Sequence, residues 1–412
     1  MQTAYIFGTG QISNLAYEQC KEKYKILGFI DNDNTKHGKT HHGLLIEPPS
    51  KKLDCVDAII IGSADANKDE MEIQLVNDFG IPPDRLIAPI PSQPLDSYTS
   101  KNPPGLSISL GSDKCINRCI ICPQHLGGIN TQFLSPDVLK KVVSEIPEEE
   151  FNVTLTGFLE PFLAPNIVEC ARTIKQIKPK AKIMVNTAGL IYDEDFLVQL
   201  FPYLSVLKVS LNTMTSDDYA FLSGTGNEGN FHKVMDNILK FQNLSIQKYP
   251  NLKITLQMMK FKKYKYKDLT HFLAPFRQKG VAVHYCDVYN WGGGNNDRKK
   301  ITSELHNREL LPMLRTPQGE QYPCLALFTS IHLFEDGYYY PCPPSMKHGQ
   351  DGRDFPIGNA LTMSFSEAYH VLQTYQQMHL QNEFNCLDCA TCNGWTIHNK
   401  NIFENHKKGC AC

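Results

Sequence analysis

Eight of the fourteen cysteines in this 412-residue chain fall in two bunches. In a long chain without export features, such bunching favours metal ligation over disulfides. Cys115, Cys119 and Cys122 stand in a C-x3-C-x2-C spacing. Three thiolates on one loop can hold three irons of a 4Fe-4S cube and leave the fourth iron open to a small molecule. Structural zinc would need a fourth Cys or His nearby, and His125 is the only candidate within several residues. The second bunch is Cys324, Cys342, Cys386, Cys389 and Cys392. Four of these would close a second cluster or a tetrahedral zinc, with Cys386 and Cys392 competing for the last place. Six cysteines stand apart: Cys20, Cys55, Cys170, Cys286, Cys410 and Cys412. For the first three the expectation is a small buried hydrophobe.

The elements that must position these thiols are legible from periodicity. AYIFGTGQIS reads as an apolar strand, a Gly8-Thr9-Gly10 turn and a helix, followed by strands at KILGFID, DAIIIGSA and RLIAPI and a helix at EMEIQLVNDFGI. That alternation predicts a doubly wound, Rossmann-like parallel sheet over residues 1–95. Gly8 and Gly10 would let backbone amides approach a pyrophosphate at a helix N-terminus, and Asp31 would accept from a ribose hydroxyl. The fingerprint is incomplete, with Ser13 where a third glycine would stand. Residues 96–104 end a stretch rich in Pro and Ser that reads as a linker. A strand then leads into the first cysteine loop, and five more follow: FNVTLTGF, KIMVNTAGL, VLKVSLNT, KITLQMM and VAVHYCDV. IHLFEDGYYYPC reads as a hairpin turning at Asp336-Gly337.

From the cysteine loop onward the chain resembles the radical S-adenosylmethionine superfamily. The resemblance implies a partial (β/α)6 barrel over residues 105–300, with the open iron chelating S-adenosylmethionine and an electron cleaving it to a 5′-deoxyadenosyl radical. Gly157, Glu160 and Pro161 resemble the family's Gly-Gly-Glu-Pro turn, Leu159 departing where glycine is usual. It implies that Glu160 and the backbone at Thr156 and Gly157 receive the methionine ammonium. Asn186 and Thr187 resemble the Thr-Asn-Gly strand, and Ser210 and Asn212 the ribose-binding positions. Residues 301–400 resemble the SPASM or twitch extension, a small α+β domain, which implies an auxiliary 4Fe-4S cluster on Cys324, Cys342, Cys389 and Cys392, or on Cys386 in place of one of the last pair; residues 401–412 are a tail. The first 95 residues resemble Rossmann-like domains attached to bacterial sugar-modifying enzymes.

The expected function is therefore hydrogen abstraction from an unactivated C–H bond, oxidising or epimerising a sugar, aminosugar or nucleotide-linked sugar. A peptide or protein maturase using the first domain for docking is the alternative, and a non-enzymatic iron-sulfur or zinc scaffold the third reading. A flavodoxin or ferredoxin would supply electrons. Cys286 closes the sixth strand on the same face as His284, where its thiol could donate a hydrogen atom to a substrate radical; the competing reading is a packed core thiol. The formal charge of -2 excludes a broad cationic field for nucleic acid. No stretch approaches the roughly 20 apolar residues of a membrane span, so a cytoplasmic protein is expected.

Overall fold

The apolar runs of the first 87 residues form a six-stranded sheet in the computed structural model, which describes residues 1–63, 65–87, 105–112, 115–122, 132–286, 303–310, 326–342 and 356–381. Its strands are β1 (Gln2–Phe7), β2 (Tyr24–Ile30), β3 (Thr40–His41), β4 (Leu44–Glu47), β5 (Ala58–Ile61) and β6 (Leu86–Ile87), in the order β3-β4-β2-β1-β5-β6. All neighbours are parallel except the β3–β4 hairpin. Strand alternation sends Ala4 and Ile6 to one face, with Ala16 and Cys20 of helix α1 (Gln11–Cys20). Phe7, Ile59 and Ile61 go to the other, with Leu75 of helix α2 (Asp65–Asn77). Burial on both faces is what a parallel sheet requires.

Cys20 and Cys170 are buried as expected, but Cys55 is exposed. It ends the 3-10 turn Lys51–Cys55, in which Leu53 and the following Val56 take the buried positions and turn the thiol outward.

The second sheet has nine strands. Its first six strands are all parallel: β7 (Gly105–Ser112), β8 (Asn152–Phe158), β9 (Lys182–Thr187), β10 (Leu204–Asn212), β11 (Lys253–Met259) and β12 (Ala282–Cys286). Amphipathic helices cover the outer face. Helix α3 (Pro136–Glu145) buries Val138, Leu139, Val142 and Val143. Helix α4 (Ile167–Ile177) buries Ile167, Cys170, Ala171 and Ile174, an i, i+3, i+4, i+7 stripe. Helices α5 (Glu194–Leu200), α6 (Ser216–Leu222), α7 (Gly229–Lys248) and α8 (Tyr266–Gln278) complete the layer. The six strands and their helices make the partial (β/α)6 barrel read from the sequence.

The predicted hairpin is β13 (Ile331–Leu333) and β14 (Tyr338–Tyr340), with Gly337 at φ +81° in its turn. It continues the barrel sheet, because β13 pairs in parallel with β7 and β14 pairs with β15 (Gly358–Asn359). The C-terminal helix Phe365–Gln381 buries Phe365, Ala368 and Leu372 in the same core as α3. No helix among the described residues is long and apolar enough to cross a membrane.

Candidate active site

Strand polarity gathers the chemistry at one end of the barrel. A cavity of about 500 Å³ is lined by Cys115, Cys119, Cys122, Thr156, Gly157, Glu160, Asn186, Thr187, Ser210, Asn212 and Cys286. Every residue the sequence reading assigned to the barrel site thus meets the same space.

The cysteine loop is held by α6. Arg118 N–H donates to Ser223 O at 2.8 Å and Ile120 N–H to Leu222 O at 3.0 Å. Gly224, at φ +65°, follows directly, and a Cβ there would overlap the Arg118 carbonyl. Burial pushes the Cys115 thiol up to about 11 and Cys119 to about 12. Three thiols at one cavity are a donor set that suits an iron-sulfur cluster, since thiolates disfavoured by burial become favourable once they bind a cation. Buried Asn117 lines the same wall, and its Oδ1 has no hydrogen-bond partner among the described residues.

Glu160 follows β8 and caps the 3-10 turn Pro161–Leu163. Its Oε1 accepts from Phe162 N–H at 3.2 Å and from the Thr187 hydroxyl at 2.5 Å, and its Oε2 from Ala188 N–H at 2.7 Å. Burial raises its pKa, with these hydrogen bonds pulling the other way. Gly157 takes φ +149°, and an added Cβ would sit 2.7 Å from Gly111 O. That position therefore demands glycine. Leu159 is a core residue.

On β10, Ser210 and Asn212 are separated by a register shift, and Asn212 adopts φ +70°, a left-handed conformation asparagine tolerates. Gln257 of β11 ties them together, its Nε2 donating to Asn212 Oδ1 at 3.1 Å and Ser210 Oγ at 3.4 Å. Gln257 escaped the sequence reading, although a lone amide in the apolar run KITLQMM was its signal. His332 also lines the cavity, arriving on β13, and burial lowers its pKa to about 3. Nothing in the sequence marks His332 as a cavity residue, because its position depends on the β13–β7 pairing.

Cys286 donates from Sγ to Met258 O at 3.5 Å and packs beside the cluster of Met259 and Phe261. The thiol is thus both partly packed and on the cavity wall. Cys342 follows β14, whereas Cys324, Cys386, Cys389 and Cys392 lie outside the described residues.

Gly8, Gly10 and Asp31 stand together at the strand ends of the first sheet, apart from the cavity lining. Gly8 N–H donates to Ile30 O at 2.7 Å, and Gly10 caps α1. The Asp31 carboxylate accepts from Thr9 Oγ1 at 2.6 Å, Asp33 N–H at 2.9 Å and Lys36 Nζ at 3.1 Å.

Residues 1–87 match the family described as C2185-like, N-terminal. No curated protein matches the chain. Among solved structures it is similar to BtrN in complex with AdoMet and 2-DOIA, at 15% identity over 70% of this chain and 92% of that one, with a TM-score of 0.45. It is similar to Streptococcus suis SuiB bound to precursor peptide SuiA, at 15% identity over 73% of this chain and 72% of that one, with a TM-score of 0.48. Native anSMEcpe with bound AdoMet and a peptide gives 14% identity over 67% of this chain and 82% of that one, with a TM-score of 0.46.

Proposed function

We propose that the chain is a radical S-adenosylmethionine enzyme whose substrate is a sugar, aminosugar or nucleotide-linked sugar, oxidised or epimerised at one carbon. The observation that carries this reading is the convergence of three cysteines, the Glu160 carboxylate, Asn186, Ser210 and Asn212 on one cavity at the strand ends. When bound, a 4Fe-4S cluster and S-adenosylmethionine would together supply a 5′-deoxyadenosyl radical able to abstract a substrate hydrogen. The chain's own part is to hold and to shield. Cys115, Cys119 and Cys122 would ligate three irons. Glu160, held by three donors, would accept from the methionine ammonium, with the backbone at Thr156 and Gly157 beside it. Asn186, Thr187, Ser210 and Asn212 would receive the remaining polar groups of the nucleoside, the last two held by Gln257. The auxiliary cluster on the C-terminal cysteines remains part of the proposal, as does electron supply by a flavodoxin or ferredoxin.

One observation favours the second reading, a peptide or protein maturase. The Gly8 amide and the Asp31 carboxylate, which a nucleotide would use, are already engaged within the chain, which suits a docking role for the first sheet.

Anaerobic reconstitution tests the proposal. About eight irons per chain are expected for two cubanes. Alanine at Cys115, Cys119 and Cys122 together should leave about half and abolish 5′-deoxyadenosine formation. A wild-type chain that takes up zinc alone, or that never cleaves S-adenosylmethionine under reduction, refutes it.

A further inference from the structure

The inner face of β10 carries a cation, Lys208, that has no ion-pair partner among the described residues. Leu207, Val209 and Leu211 are buried in the outer core, so Val206, Lys208, Ser210 and Asn212 alternate onto the half-buried inner face. Ser210 and Asn212 line the cavity, and Lys208 lies one inward position toward the strand start, below the residues that line it. Its register neighbours are Asn186 on β9 and Thr255 on β11. Among the described residues the Lys208 ammonium has no hydrogen-bond or ion-pair partner, while burial lowers its pKa and the nearby Cys286 opposes that shift. Asn186 Oδ1 beside it is buried and equally without a partner.

The acidic groups that approach this side of the barrel are committed elsewhere. Asp69 and Glu72 of α2 each accept from Lys260 Nζ at 3.2 Å. Glu70 is held by Arg277 and by the Tyr285 hydroxyl. Glu160 is engaged by its three donors. Besides Cys286, His284 on β12 lies nearby, its pKa lowered by desolvation and then by the Lys208 charge, with Asp69 opposing. Among the described residues none of these carboxylates is paired with the Lys208 ammonium. A partly desolvated ammonium is costly to maintain, and its natural complement is an anion that arrives with the ligand.

We propose that Lys208, flanked by Asn186 and Thr255, forms a subsite for an anionic group, carboxylate or phosphate, carried by the substrate of the barrel cavity. This deepens the enzymatic reading and rests on it for the identity of the site as a substrate site. The subsite itself is testable without turnover.

The experiment is calorimetry on the reconstituted full chain at low ionic strength, with inorganic phosphate and acetate as separate probes. Wild type should bind one or both saturably. Lys208→Met should lose about tenfold or more in affinity for that anion, the expected scale for a charge-assisted bond, while Lys208→Arg retains it. Affinity for S-adenosylmethionine should be unchanged in both variants. Tighter phosphate binding assigns a phosphorylated substrate, and tighter acetate binding a carboxylate. Removing an unpaired charge should not impair folding, and Lys208→Gln provides a second neutral variant of similar length. Equal anion binding by wild type and both neutral variants, or no saturable binding to wild type, overturns the subsite. Intact anion binding in a chain that cannot cleave S-adenosylmethionine overturns the enzymatic reading alone.

Discussion

Replacing Glu160 with glutamine separates a cofactor-binding carboxylate from a merely structural one. Glu160 is 2% exposed and accepts from three donors. In the variant, Oε1 can still receive Phe162 N–H and the Thr187 hydroxyl. The new amide then faces Ala188 N–H, donor against donor. Leaving the buried Ala188 N–H against a donor should cost about 1 to 3 kcal/mol of stability, while glutamine escapes the burial penalty of the ionised carboxylate. A carboxyl whose folded pKa is raised by burial contributes stability below its unfolded pKa and loses it as pH rises through the folded value. The variant's deficit in the iron-free chain should therefore be largest in acid and narrow toward neutral pH. Cofactor binding reads differently. An ammonium beside Glu160 favours the ionised carboxylate, so wild-type affinity for S-adenosylmethionine should rise with pH through the Glu160 titration. In the variant that slope should vanish and affinity fall about tenfold or more, one charge-assisted bond being worth at least about 1.4 kcal/mol. Equilibrium binding to reconstituted protein across pH measures both. A variant that is less stable but binds with the same affinity and the same pH slope would show that Glu160 only braces the turn.

Two further outcomes follow from the cavity wall. Cys286→Ala should still form 5′-deoxyadenosine but lose the product that carries one solvent-derived deuterium in deuterated water; normal turnover, or a product two electrons more oxidised than substrate, refutes a donor role for this thiol. His332 is buried with its pKa lowered to about 3, so the folded state resists a proton that the unfolded state takes up below about 6.5. Wild type should therefore lose about 2 kcal/mol more than His332→Gln between pH 7 and pH 5 in urea unfolding of the iron-free chain, and parallel pH profiles would contradict the burial argument.

Most of the barrel was legible because its signals are local. Glu160, Asn186 and Ser210 each lie at the end of an apolar run, and in a parallel β/α architecture those ends share one rim. The hairpin was legible from Asp336-Gly337, since the left-handed turn needs glycine. Its attachment to β7 was not, because nothing in IHLF records which sheet edge is open. The short β3–β4 hairpin was also missed: THHGLLIE has no strong alternation, and it is held by contacts remote in sequence, among them His41 to Ser13 Oγ at 3.2 Å and the stacking of His42 on Tyr17. Gln257 and Lys208 went unmarked for a related reason. Single polar residues inside apolar strands gain meaning only when neighbouring strands show which face is enclosed.

The join between the two sheets bears most directly on how substrate would be recognised. Asn77 of α2 donates to Phe261 O at 2.9 Å and Tyr264 O at 2.7 Å, and Tyr285 of β12 reaches Glu70 at 3.0 Å. Lys260, 3% exposed, bonds Asp69 and Glu72 through its ammonium. Its backbone N–H donates to Cys286 O at 3.4 Å. Ion pairs this buried add little net stability against an apolar seam, yet breaking one leaves a stranded charge at a cost of about 3 to 5 kcal/mol. They therefore select one docked geometry more than they strengthen it. A loosely tethered binding module would have no use for such selection. The first sheet instead sets the position of β12, the last barrel strand, and through it the placement of Cys286 and His284 beside Lys208. The bonds from α2 to β12 and Lys260 thus end beside Cys286, on the cavity wall, and beside His284, next to Lys208.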